Sequence, residues 1–131
     1  MNPARELRFA FILDDYDAAL HLFRDVFGLE TMMDFSHGDG RGVILKIPSA
    51  TLELFNREYG HFVDGVEVGR PLDYRVRIAI NIDDLAEATK AARAAGASPI
   101  AEPVDTPWGD RNRRFTTSDG LQMTLFQSLE H

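Results

Sequence analysis

The sequence predicts an α+β fold in which two β-α-β-β-β modules in one chain form a curved mixed sheet around a cleft. Three observations predict it. Arg8-Phe9-Ala10-Phe11-Ile12-Leu13-Asp14-Asp15 returns 69 residues later as Arg77-Ile78-Ala79-Ile80-Asn81-Ile82-Asp83-Asp84. Each copy runs into a helical apolar pattern that a glycine closes, Gly28 in the first and Gly96 in the second. Leu52-Glu53-Leu54-Phe55 returns 71 residues later as Met123-Thr124-Leu125-Phe126. A duplicated unit builds one pseudo-symmetric body, and ligands commonly sit where such halves meet.

The elements follow in order. Phe9, Phe11 and Leu13 alternate with Arg8, Ala10 and Ile12, which predicts a strand with one buried face. Asp14 or Asp15 caps the next helix, and Asp17 suits its positive end. Ala19, Leu22, Phe23, Val26 and Phe27 form the apolar stripe of that helix, and Gly28 suits its C′ position. Strands are expected at 29–35, 43–47 and 51–56, with a flexible glycine-rich loop at 36–42. Residues 57–74 show no clean period and are expected to be a connector packed over the body.

The second half repeats the plan. Val76 to Ile82 is a strand. Asp83 or Asp84 caps a helix with the stripe Leu85, Ala88, Ala92 and Ala95. Strands are expected at 99–104, 113–117 and 121–127, the last two joined by the turn Ser118-Asp119-Gly120. The modules are then about 5–56 and 75–127, within a single domain of residues 1–128. Leu129-Glu130-His131 looks like the start of a purification tag, so His131 is set aside.

Bulk properties narrow the function. The chain has 131 residues and is 44% hydrophobic, which suits one domain with its own core. Its formal net charge of −7 weighs against nucleic acid and anionic membranes as partners. There is no cysteine, so thiolate metal sites and disulfides are absent. With no signal-like or membrane-spanning segment in sight, the cytoplasm is the expected compartment.

Strand parity then selects the residues that face the seam. With Phe9, Phe11 and Leu13 under the helix, Arg8 faces the cleft. By the same count Glu53 and Phe55 face it from the fourth strand, and Arg77 from the fifth. Gln122, Thr124 and Phe126 face it from the last, while Met123 and Leu125 enter the core. Arg8, Glu53, Arg77 and Thr124 occupy pseudo-equivalent places.

Paired β-α-β-β-β units, Asp15-Tyr16-Asp17-Ala18-Ala19 leading to Phe23-Arg24-Asp25-Val26-Phe27-Gly28, and Leu52-Glu53-Leu54-Phe55 together resemble the vicinal oxygen chelate superfamily. This is the glyoxalase, bleomycin-resistance and extradiol-dioxygenase group. Pro107-Trp108-Gly109-Asp110-Arg111 with Asp119-Gly120 is similar to the closing segment of bleomycin-resistance proteins. Enzymes of the group hold a divalent metal at four symmetric strand positions. The resemblance puts those positions on Arg8, Glu53, Arg77 and Thr124, of which only Glu53 has the chemistry of a ligand. A guanidinium stays protonated and has no lone pair to give. No metal and no cofactor are therefore expected.

Glu53 between Arg8 and Arg77 admits two roles. It is a charged clamp on the floor of a ligand pocket, or a self-neutralising trio that fills the space of a metal. Trp108 is either a stacking surface over the cleft or a pin for its loop. Phe55 and Phe126 wall the cavity or belong to ordinary core. His21 is expected on a solvated helix face. The acids Asp64, Glu67, Asp73, Asp105 and Asp110 could favour a cationic ligand at the mouth, or simply keep the surface soluble.

The expected function is metal-independent binding or sequestration of a bulky, aromatic, cationic small molecule of the antibiotic or natural-product kind, in the manner of bleomycin-resistance proteins and with a role in antibiotic resistance. The resemblance implies a homodimer. The alternative is an enzyme of the glyoxalase or dioxygenase kind, a lyase or isomerase. It would be either metal-dependent with an atypical ligand set or metal-free with Glu53 as general base.

Overall fold

Two sheets and three helices make up the described part of the chain, which in this computed structural model is residues 14–47, 49–50 and 57–130. The first predicted strand and the fourth, with Arg8, Glu53 and Phe55, lie outside the described residues.

Helix α1 (Tyr16–Leu20) continues without a break into a wider π-helical stretch, His21–Val26. Asp15 caps it by accepting from the Ala18 N–H at 3.1 Å, the geometry that satisfies an orphan donor of the first turn. Strands β1 (Glu30–His37) and β2 (Gly40–Lys46) pair antiparallel, with an irregularity between Thr31 and Met33.

The segment 36–42, expected as a flexible loop, is a tight hairpin instead. His37 pairs with Gly40 across the two residues Gly38 and Asp39. Gly38 has φ +58, and Asp39 does not have a positive φ. A glycine at the first of two loop positions matches the right-handed twist of the flanking strands. The three glycines mark the turn of a hairpin and not a gap between strands.

The connector is also more regular than expected, for α2 spans Arg57–Glu67. Strand β3 (Arg77–Asn81) then leads to α3 (Leu85–Ala94), whose cap Asp84 accepts from the Glu87 N–H at 3.1 Å. The expected strand over 99–104 is two short pieces, β4 (Ser98–Pro99) and β5 (Val104–Asp105), which pair with different stretches of β6 (Asp110–Thr116). Strand β7 (Gln122–Ser128) closes the chain. The sheet runs β3-β7-β6-β4, with β3 parallel to β7 and the other pairs antiparallel. The fold is mixed α+β, as the duplicated pattern predicts. No helix among the described residues is long and apolar enough to cross a membrane.

Parity holds in the second module. Met123 and Leu125 are fully buried, and Ile78, Ile80 and Ile82 pack against the same cluster. Leu85 and Ala92 enter that core from α3, with Ala88 and Ala95 against it. The small residues let the helix lie close to the sheet.

The first half contributes to this core as well. Leu22 is buried in the cluster, with Phe23, Val26 and Phe27 around it. The turn of the second module fixes the entry to α1, because Asp119 Oδ1 accepts from the N–H groups of Asp14 at 2.7 Å and Asp15 at 2.9 Å. One hydrophobic core is thus built from both halves. Leu22→Ala should cost about 2–5 kcal/mol, the usual range for a buried leucine truncation. Urea unfolding monitored by circular dichroism checks this, and a single transition should persist.

Candidate functional site

The other face of the second sheet is polar, and α2 lies on it. Register brings three rows of side chains to this face. Thr116, Gln122 and Arg77 form one row, and Arg114, Thr124 and Ala79 form the next. Asn112, Phe126 and Asn81 form the third. The core residues Phe115, Met123 and Leu125 alternate with them. The strand period of two therefore separates an oily side from a side rich in hydrogen-bond donors.

Helix α2 presents Val63, Asp64 and Glu67 inward, the three buried residues of that helix. Arg114 takes both acids: its Nε donates to Glu67 Oε1 at 3.0 Å and its Nη2 to Asp64 Oδ1 at 3.0 Å. Its Nη1 donates to Gln122 Oε1 at 3.2 Å. Arg114 is 0% exposed, Asp64 1% and Glu67 2%. Three charges have left water together, which costs several kcal/mol per ion and is tolerated only with dense pairing.

The remaining bonds supply that density. Glu67 accepts from the Thr124 hydroxyl at 2.6 Å and from Asn112 Nδ2 at 3.1 Å. Arg77 Nη1 donates to Thr124 Oγ1 at 3.1 Å, so Thr124 passes a chain of hydrogen bonds from one cation to an anion. Asp64 accepts from the Tyr74 hydroxyl at 2.7 Å and from the Leu72 N–H at 3.1 Å, which binds the residues after α2 to it. The Arg114 guanidinium also lies 5.4 Å from the Tyr74 ring centroid, a favourable cation–aromatic distance. Burial works against the charged form of Arg114, but the Glu67 charge and the bonds to Glu67 and Asp64 outweigh it and hold the pKa above the ordinary arginine value.

The residues expected at the seam fall as follows. Arg77 and Thr124 come together and join the buried network. Phe126 is half-buried next to Asn112 across the sheet. Trp108 is on the hairpin between β5 and β6 and is 43% exposed. The turn that carries it is closed by Gly109 N–H to Thr106 O at 3.2 Å, with Gly109 at φ +94.

Asp64 and Glu67, expected among the acids of a cleft mouth, are sealed against Arg114 and cannot meet a cation there. Asp105 forms a surface pair with Arg111 at 2.7 Å, and that hydrogen bond holds its carboxyl below the ordinary range. His21 is on the surface as expected, 3.2 Å from Asp25. Asn112, Arg114 and Tyr74 were not singled out from the sequence. For Arg114 the signal was there: it alternates with Phe115, so parity alone turns it toward the seam.

The resemblance implies a divalent metal at four strand positions, two of which are described. Neither fits. Arg77 carries a permanent cation, and the Thr124 hydroxyl is engaged at 2.6 Å with Glu67. Among the described residues, no three side chains of His, Asp or Glu are grouped to hold a metal ion. What the face can do is donate hydrogen bonds to an anion.

Comparison with known proteins agrees with this architecture. A sequence model described as "Glyoxalase/Bleomycin resistance protein/Dioxygenase superfamily" matches residues 7–125. A hypothetical protein from S. aureus superposes with a TM-score of 0.63 at 15% identity, over 96% of this chain and 95% of that one. A glyoxalase family protein from Bacillus cereus gives 0.58 at 16% identity, over 99% of both chains. A glyoxalase/bleomycin resistance protein/dioxygenase superfamily member from Sphaerobacter thermophilus gives 0.55 at 25% identity, over 93% of this chain and all of that one (100%). No curated protein matches the chain.

Two predictions follow from the network. Arg114→Met leaves two carboxylates buried without their cation, and should cost about 3–5 kcal/mol in chemical unfolding. Arg114→Lys keeps the charge but lacks the planar fork, so its loss should fall between that of Met and the parent. The second concerns alkaline pH. Burial first, then the hydrogen bond to Asp64, raises the Tyr74 pKa above its ordinary 10.0. The folded state therefore favours the neutral phenol. This contribution is complete below the unfolded value and is lost as pH rises through the folded one. Tyr74→Phe should lose less stability than the parent across that alkaline window, measured by urea midpoints at stepped pH.

Proposed function

The chain belongs to the Glyoxalase/Bleomycin resistance protein/Dioxygenase superfamily, and from that premise we propose that it binds and sequesters a small organic molecule, without a metal, in the manner of bleomycin-resistance proteins. The observation that carries this reading is the donor set on the seam side of the second sheet. Arg77, Asn112, Arg114, Gln122 and Thr124 sit on neighbouring strands in hydrogen-bonding register. Guanidinium, amide and hydroxyl groups recognise ligands by hydrogen bonds, and a guanidinium, which stays protonated, has no lone pair for a dication.

Aromatic surface supports the same reading. Phe126 lies beside the donors, and Trp108 offers an exposed ring on a fixed turn. Met32, Met33 and Phe35 on β1 are also about half exposed. Methionine adapts to irregular ligand shapes, which suits a bulky aromatic guest. We place the protein in the cytoplasm as a homodimer, with antibiotic resistance by sequestration as its role.

Native mass spectrometry of the tag-free protein tests this. The expected spectrum is a dimer without metal, and a co-purified organic mass would identify the guest. A metal adduct near one per chain that chelator removes, together with lost activity on a thioester or catechol panel, would overturn sequestration in favour of a lyase or dioxygenase.

A further inference from the structure

Glu67 is bound by the second sheet as a ligand carboxylate would be. Its Oε1 takes the Arg114 Nε at 3.0 Å and the Thr124 hydroxyl at 2.6 Å, and its Oε2 takes Asn112 Nδ2 at 3.1 Å. All three donors belong to β6 and β7, and all are buried. The sheet alone is thus a complete carboxylate receptor, and α2 happens to supply the carboxylate.

We infer that Arg114, with Asn112 and Thr124, is a receptor for an organic carboxylate, and that α2 is an internal occupant which such a ligand displaces. The inference rests on the small-molecule binding reading and names the ligand class for the same face.

Two further observations carry it. The first is how α2 is held. Of its three buried residues one is apolar, Val63, while Tyr59 and Phe62 are about half exposed with their rings 5.8 Å apart. Among the described residues its side-chain bonds to the second sheet are polar: Glu67 to Arg114, Asn112 and Thr124, and Asp64 to Arg114. A carboxylate ligand offers Arg114 the same kind of bond, so exchange replaces like with like. The second is an unmet acceptor. Asn112 is 5% exposed, and its Oδ1 has no hydrogen-bond donor in reach among the described residues. Its amide is oriented by the bond from Nδ2 to Glu67, so Oδ1 is a fixed acceptor beside the carboxylate position. A buried acceptor left unmet is unfavourable. A ligand whose carboxylate has a hydroxyl or amino donor next to it would satisfy Oδ1, which the Glu67 side chain cannot do. Phe126, paired with Asn112 across the strands, lies where an aromatic substituent would pack.

The ligand class is therefore an aromatic carboxylic acid with a neighbouring hydroxyl or amino group. Apparent affinity is reduced by the fraction of molecules in which α2 is docked, and weakening that docking should recover it. Phenyllactate is a suitable probe, with 3-phenylpropanoate lacking the hydroxyl and phenyllactamide lacking the charge.

Titration calorimetry on the full chain should show phenyllactate binding more tightly than 3-phenylpropanoate, with phenyllactamide weakest. In Asp64→Asn/Glu67→Gln, phenyllactate should bind about tenfold tighter or more, as release of a populated competing state predicts. If this variant is folded and its affinity for phenyllactate is unchanged, the inference is overturned. If the amide binds as well as the acid, the carboxylate class is wrong while the binding reading stands. If neither the acids nor the amide bind, and no co-purified mass is found, both readings fall. Hydrogen exchange on the parent protein decides the matter should the variant not fold. Phenyllactate should speed exchange in α2 and slow it in β6 and β7, and unchanged exchange in α2 would overturn the inference.

Discussion

The burial of Arg114 between Asp64 and Glu67 is the constraint on which the polar half of this molecule depends. A guanidinium at 0% exposure must find partners, because an unpaired buried ion costs several kcal/mol, a large share of a small domain's stability margin. The sheet supplies the cation and α2 supplies both anions. The position of α2 is therefore fixed by charge, and Tyr74 and Leu72 follow because Asp64 has further lone pairs to satisfy. Packing could not have fixed it so well, since the inward stripe of the helix has one buried apolar side chain.

The two faces of the second sheet thus work by different physics. On one side Phe115, Met123 and Leu125 exclude water with α3, and Leu22 closes the same cluster from the first half. This side gains stability without direction. On the other side the contacts of Arg114, Glu67, Asp64, Thr124 and Asn112 are directional and mutually dependent. Loss of one donor from that face strands an acceptor, whereas loss of one methylene from the core leaves a void. Thr124 stands beside Met123 and Leu125 in the strand, and its fate differs from theirs by parity alone.

The duplicated pattern made the fold legible: helix caps at Asp15 and Asp84, the stripe of α3, and the inward set Ile78, Ile80, Met123 and Leu125 all lie where periodicity puts them. The hairpin at Gly38 was missed because three glycines in seven residues suggest slack, while a glycine at the first loop position supplies the turn. Helix α2 was missed for a deeper reason. Its buried positions 63, 64 and 67 keep helical spacing, but two of them hold acids. A search for apolar periodicity cannot see a helix whose inner face is charged. Arg77 and Thr124 were found because the repeat marks them. Arg114 has no counterpart in that repeat, and it was overlooked although its alternation with Phe115 turns it to the same side.

A net charge of −7 and a run of acids in the connector suggest a site that prefers cations. Net charge, however, acts through solvent over distances that salt screens to about 8–10 Å. The sign of a buried face is set by the groups within bonding distance. Here the two connector acids that reach the sheet are consumed in neutralising it, and the groups beneath them are an arginine, an amide and a hydroxyl. The surface is anionic and the face under α2 is cationic, because the same acids that colour the sequence are the ones the fold has used to cover an arginine.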